Sequence, residues 1–71
     1  MTVYYFDIQI GDSPRSVDEE GQSLPSVDAA RLEAGLMLCE LARDIMQSRK
    51  ATEDVQVWVR DDLGEVLQNQ N

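Results

Sequence analysis

Residues 24–50 read LPSVDAARLEAGLMLCELARDIMQSRK, and the spacing within this stretch decides the fold. Ser26 stands where an N-cap is needed, its hydroxyl able to accept from an N–H of the first turn that has no intrahelical partner. Asp28 follows, near the positive end of the helix dipole. Val27, Ala30, Ala34, Met37, Leu38, Leu41 and Ile45 then recur at three- and four-residue steps and form one apolar stripe. Arg49 and Lys50 stand where the negative end of the dipole favours cations. The pattern predicts a single helix over about residues 27–48.

That helix carries more apolar residues than one stripe uses. Leu32, Leu36, Cys39 and Met46 fall opposite the centre of the stripe, beside Arg43. One reading is a wide buried face that also touches the turns. The other is a contact surface for a second chain, because very small domains often complete their core by association.

On either side of the helix the period changes from 3.6 to 2. Residues 2–10 are rich in β-branched and aromatic side chains. Their alternation puts Tyr4, Phe6, Ile8 and Ile10 on one face, the better core face, and Val3, Tyr5, Asp7 and Gln9 on the other. Gly11-Asp12-Ser13-Pro14 reads as a turn. Residues 15–18 are expected as a short polar strand at a sheet edge, with Val17 its only apolar residue. Asp18-Glu19-Glu20-Gly21 follows as a turn, Asp first and Gly fourth. After the helix, residues 53–60 alternate again: Val55, Val57 and Val59 point one way, Gln56, Trp58 and Arg60 the other. Asp61-Asp62-Leu63-Gly64 makes a second acidic turn, and a short strand is expected at 65–68. The polar end Gln68-Asn69-Gln70-Asn71 is expected to fray. The two acidic turns share an Asp-acidic-x-Gly-x-x-Leu pattern, best explained by convergence on one turn chemistry.

Strand, strand, helix, strand, strand gives an α+β, ββαββ fold. The expected architecture is a four-stranded antiparallel sheet of order 2-1-3-4 with the long helix on one face and a right-handed crossover through it. Ala34, Leu38, Leu41 and Ile45 are expected on Phe6, Ile8, Val57 and Val59. The chain reads as one domain, residues 1–71, with its core in 2–68 and a polar tail at 69–71. The opposite sheet face is left uncovered, with Val3, Tyr5 and Trp58 on it. Tyr5 and Trp58 are expected to be neighbours, either as a cross-strand pair that only supports the sheet or as part of a contact surface.

Composition narrows the chemistry. The 71 residues include 14 acidic and 6 basic ones, no histidine and one cysteine, for a formal charge of −8. Without histidine there is no Ser-His-Asp triad, Cys-His pair or imidazole metal site. One cysteine excludes an intrachain disulfide and any multi-cysteine zinc site. The negative charge argues against phosphate-mediated binding to nucleic acid. Paired carboxylates catalyse when held in a cleft, but Asp18, Glu19, Asp61 and Asp62 sit in expected turns, and neither turn has the EF-hand spacing. Ser16, Ser23 and Ser48 have no candidate base, and Cys39 reads as an inert thiol. No catalytic, cofactor-binding or metal-binding residue is therefore expected. No signal peptide or membrane span is read, and a lone cysteine fits a reducing cytoplasm.

Tyr4-Tyr5-Phe6-Asp7, Gly11-Asp12, Asp18-Glu19-Glu20-Gly21, Leu24-Pro25 and Ala29-Ala30 resemble a group of small bacterial proteins. These form a domain of unknown function frequent in alphaproteobacteria, including rhizobia. Val57-x-Val59-Arg60-Asp61-Asp62-x-Gly64-x-Val66-Leu67 is similar to the closing hairpin of that group. The resemblance runs from residue 3 to about 67 and rests on structural motifs, so it implies no activity, substrate or catalytic residue. Gly35 within the helix and the polar tail depart from the group's usual pattern.

Two functions from different classes are compatible with these features. The first is a non-catalytic, cytoplasmic protein-interaction module, a homodimer or an adaptor for another cytoplasmic protein. Its candidate surface is Val3, Tyr5 and Trp58 on the sheet, or Leu32, Leu36 and Cys39 on the helix. The second is an acidic inhibitor or nucleic-acid mimic that occupies a basic groove on a partner.

Overall fold

A computed structural model describes residues 1–47 and 54–70. The elements run β1 (Thr2–Ile10), β2 (Gln22–Leu24), α1 (Val27–Gln47), β3 (Val55–Arg60) and β4 (Val66–Gln70). The sheet has the order β2-β1-β3-β4, every neighbouring pair antiparallel. This is the α+β architecture that the alternating strands and the single amphipathic helix require. Arg49 and Lys50, expected at the helix end, lie outside the described residues, as do Ser48, Glu53 and Asn71.

The two long strands pair in the centre, from Tyr5 opposite Arg60 to Ile10 opposite Val55. One face of this pair presents Tyr4, Phe6, Val57 and Val59 to α1, where they close on Ala30 and Ala34. Both alanines are wholly buried, and their small side chains let the helix lie close to the sheet, chiefly over β3. Ile8, Leu24, Met37, Leu38, Leu41 and Leu67 pack around this centre. Ser26 caps the helix as its position requires: its hydroxyl accepts from the Ala29 N–H at 3.1 Å.

The edges differ from the sequence reading. The second strand is not residues 15–18. There, only Ser16 pairs with β1, its N–H and C=O both bonded to Ile8. Continuous pairing resumes at β2, where Gln22 opposes Tyr4. From Ser16 to Gln22 the chain takes six steps, whereas β1 takes four from Ile8 to Tyr4. The two surplus residues force a bulge, and the Asp18-Glu19-Glu20-Gly21 turn takes it up. At the other edge the polar end does not fray at Gln68. Gln68, Asn69 and Gln70 continue β4 opposite Val59, Trp58 and Val57.

Candidate interaction surface

The face opposite α1 is less open than its strands suggest. Asp7 projects from the middle of β1 onto this face and is 1% exposed. A buried carboxylate needs a charged partner and further donors, and Asp7 has both. The Arg60 guanidinium grips it with two bonds, Nε to Oδ2 at 2.7 Å and Nη2 to Oδ1 at 3.1 Å. The Asp18 N–H donates to Oδ1 at 3.0 Å. Arg60 Nη2 also donates to the Asp18 carbonyl at 3.1 Å. The bulge is thereby drawn from the sheet edge over the face.

Asp18 completes this clasp from the other direction. Its Oδ2 accepts from the Phe6 N–H at 3.2 Å, in the gap between the two stretches where β1 is paired on that side. Its Oδ1 accepts from the Glu20 and Gly21 N–H groups. Burial raises the Asp18 pKa, but the Gly21, Phe6 and Glu20 donors and the Arg60 charge outweigh it, so the carboxyl sits below its ordinary 3.8. Arg60 is held above its ordinary value by its bond to Asp7, against the opposing effect of burial. No buried side-chain nitrogen or oxygen among the described residues lacks a hydrogen-bond partner. A saturated, tightly held cluster of this kind fastens the fold.

The bulge also changes the setting of the three sheet residues singled out from sequence. Trp58 is 8% exposed, and the Arg15 guanidinium lies 4.0 Å from its ring centre, a close cation–π contact. Its cross-strand partner is Asp7 rather than Tyr5. Tyr5 is instead opposite Arg60, whose guanidinium lies 5.1 Å from the tyrosine ring centre. Val3 and Tyr5 are half-buried and border Gly21, where a Cβ would come within 2.6 Å of Val3 Cγ1 and 2.9 Å of the Tyr5 ring. Composition alone missed the clasp. Its signal was present: Asp7 and Arg60 are single charges in two otherwise apolar or neutral central strands, on the same face.

The helix residues behave differently. Leu32 is 67% exposed, Leu36 52% and Met46 70%, and Cys39 is exposed with its thiol free. They line the side of α1 that points away from Ala30, Ala34 and Ile45. Towards the C-terminal end, Cys39, Ala42, Arg43, Met46 and Gln47 border a shallow, open groove. The candidate residues thus divide, Val3, Tyr5 and Trp58 meeting the bulge and Leu32, Leu36 and Cys39 facing outward.

Among the described residues, no three cysteine, aspartate or glutamate side chains gather where they could hold a metal ion, and no helix is long and apolar enough to cross a membrane. No curated protein and no solved structure matches the chain. Its family is nevertheless defined: the match to a domain of unknown function, DUF6894, spans residues 3–69 and so takes in the clasp, the helix and both acidic turns, and the chain belongs to that family.

Proposed function

We propose that this chain is a non-catalytic protein-interaction module that pairs with a second copy of itself through the outer side of α1. The observation that carries this reading is the exposed row of Leu32, Leu36, Cys39 and Met46 on a helix whose other side already fills the core. Single exposed apolar residues are ordinary on any surface, but a row of them along one helix marks a contact surface. A second copy can cover the row isologously, with each helix shielding the other and no other protein needed. The saturation of Asp7, Asp18 and Arg60 supports a role without catalysis. The formal charge of −8 supports one without direct nucleic-acid contact. The lone free Cys39 supports a reducing, cytoplasmic setting, and the Tyr4-Tyr5-Phe6-Asp7 and Asp18-Glu19-Glu20-Gly21 motifs support a bacterial origin.

Light scattering at micromolar concentration tests the pairing. The expected mass is twice the 8.0 kDa of the chain, and Leu36→Glu is expected to give a folded particle of half that mass. A monomeric parent protein overturns the reading. One feature favours the alternative, an acidic inhibitor or nucleic-acid mimic: the Arg60 bond to the Asp18 carbonyl holds the acidic turn at 18–21 against Arg60, from which the second acidic turn at 61–64 directly follows. A partner of that kind would be a basic nucleic-acid-binding protein, captured from the native host at low salt and released at high salt.

A further inference from the structure

The self-association proposed above leaves open how the two helices run, and the charges on α1 decide it. Resting on that reading, we infer that two copies of α1 pack antiparallel, with Arg43 of each copy set beside the partner's Glu33. Ala29, Leu32, Leu36, Cys39, Arg43 and Met46 succeed one another at steps of three, four, three, four and three residues. That alternation is the seam of a two-stranded coiled coil, and it lies on the side of α1 away from the core stripe. Glu33 and Glu40 each follow a seam residue directly and share one flank of the seam with Arg43. Gly35 and Ala42 on the other flank are small, which lets two helix axes come close.

A parallel pair would set every seam residue against its own copy. Arg43 would meet Arg43, and the facing flank would offer it only Gly35 and Ala42. An antiparallel pair overlapping along all of Val27–Gln47 has its twofold axis near residues 37 and 38. Leu36 then meets Cys39, Ala29 meets Met46, and the Arg43 stem lies over Leu32. The partner's Glu33 is one residue further along the same flank, about 1.5 Å in axial rise. Symmetry makes this contact twice. Among the described residues Arg43 takes part in no ion pair within its own chain, so the contact competes with none. The antiparallel arrangement thus trades the Arg43–Arg43 clash for two opposite-charge pairs; it also turns Glu33 towards the partner's Glu40, where a parallel pair would set Glu33 against the partner's Asp28 instead.

Sedimentation equilibrium of charge-reversed proteins tests the arrangement, with circular dichroism confirming that each is folded. Arg43→Glu is expected to weaken dimerisation about tenfold, and the double variant Arg43→Glu with Glu33→Arg to return within about threefold of the parent. Cross-linking gives a second readout in a Cys39→Ala background. Ala29→Cys with Met46→Cys is expected to oxidise to a covalent dimer. Met46→Cys alone is expected not to, since the two copies of residue 46 lie roughly 25 Å apart along the axis. A dimeric parent in which Met46→Cys alone cross-links, or in which the double reversal does not recover, overturns the antiparallel arrangement and leaves the self-association standing. A monomeric parent overturns both.

Discussion

Asp7 is a carboxylate in a central strand, its side chain 2% exposed against 21% for that of Arg60. Removing the arginine side chain therefore leaves a desolvated charge, which costs about 3–5 kcal/mol. A domain of this size has a net stability of the same order. Arg60→Ala is accordingly expected to abolish the cooperative urea transition at room temperature. Arg60→Lys is expected to be intermediate, because a point charge cannot make the two-pronged grip. The turn glycines give a second residue-scale comparison. Gly21 and Gly64 both have left-handed backbones, φ +72° and +84°. A Cβ at Gly64 meets nothing within 4 Å, while one at Gly21 collides with Val3, the Tyr5 ring and the Tyr4 carbonyl. Gly64→Ala is expected to cost about 1–2 kcal/mol from backbone strain alone, and Gly21→Ala about 1–3 kcal/mol more from the collision. Equal urea midpoints for the two variants would refute a close contact between the bulge and the sheet.

At the scale of elements, period and length decided what could be read from sequence. α1, β1 and β3 are long enough for their spacing to be unmistakable, and they fix the sheet order and the core. β2 is three residues, Gln22, Ser23 and Leu24, too short for an alternation to show. Val17 lent residues 15–18 the look of a strand, yet only Ser16 pairs there. β4 runs through Gln68, Asn69 and Gln70 because pairing with β3 satisfies its backbone, whatever its side-chain polarity. The bulge at 18–21 was legible as a turn but not as a cover for the sheet, since that role depends on contacts between residues 53 positions apart. Its stability has a pH signature. The Asp18 pKa is lower in the fold than in the unfolded chain, so its contribution is fully present above pH 3.8 and is lost as pH falls through the folded value. Asp18→Asn is expected to be less stable than the parent at neutral pH, with the difference narrowing below pH 3.8. Parallel urea titrations at several pH values measure this, and a gap that stays constant down to strongly acid pH would contradict the role assigned to the carboxylate.

For the whole molecule, charge and apolar surface act against each other. Each chain carries a formal −8, so two copies repel, while the seam on α1 attracts them. Repulsion between exposed charges is screened over about 10 Å at 0.1 M salt, whereas burial of apolar surface is not weakened by it. Dimerisation through α1 is therefore expected to tighten as salt rises from about 0.01 to about 0.15 M, even though the two Arg43–Glu33 contacts weaken slightly over that range. A mimic bound in a basic groove behaves in the opposite way, since opposite charges hold that complex together. Association should also appear in the thermal transition: a dimer that binds only the folded state melts at higher temperature as protein concentration rises. Leu36→Glu is expected to remove that dependence, because it places a charge in the seam. The fold itself should survive, since Leu36 is 52% exposed and lies outside the core around Ala30 and Ala34. A melting temperature independent of concentration in the parent, together with a dissociation constant that rises with salt, would shift the assignment from self-pairing to an acidic partner-binding role.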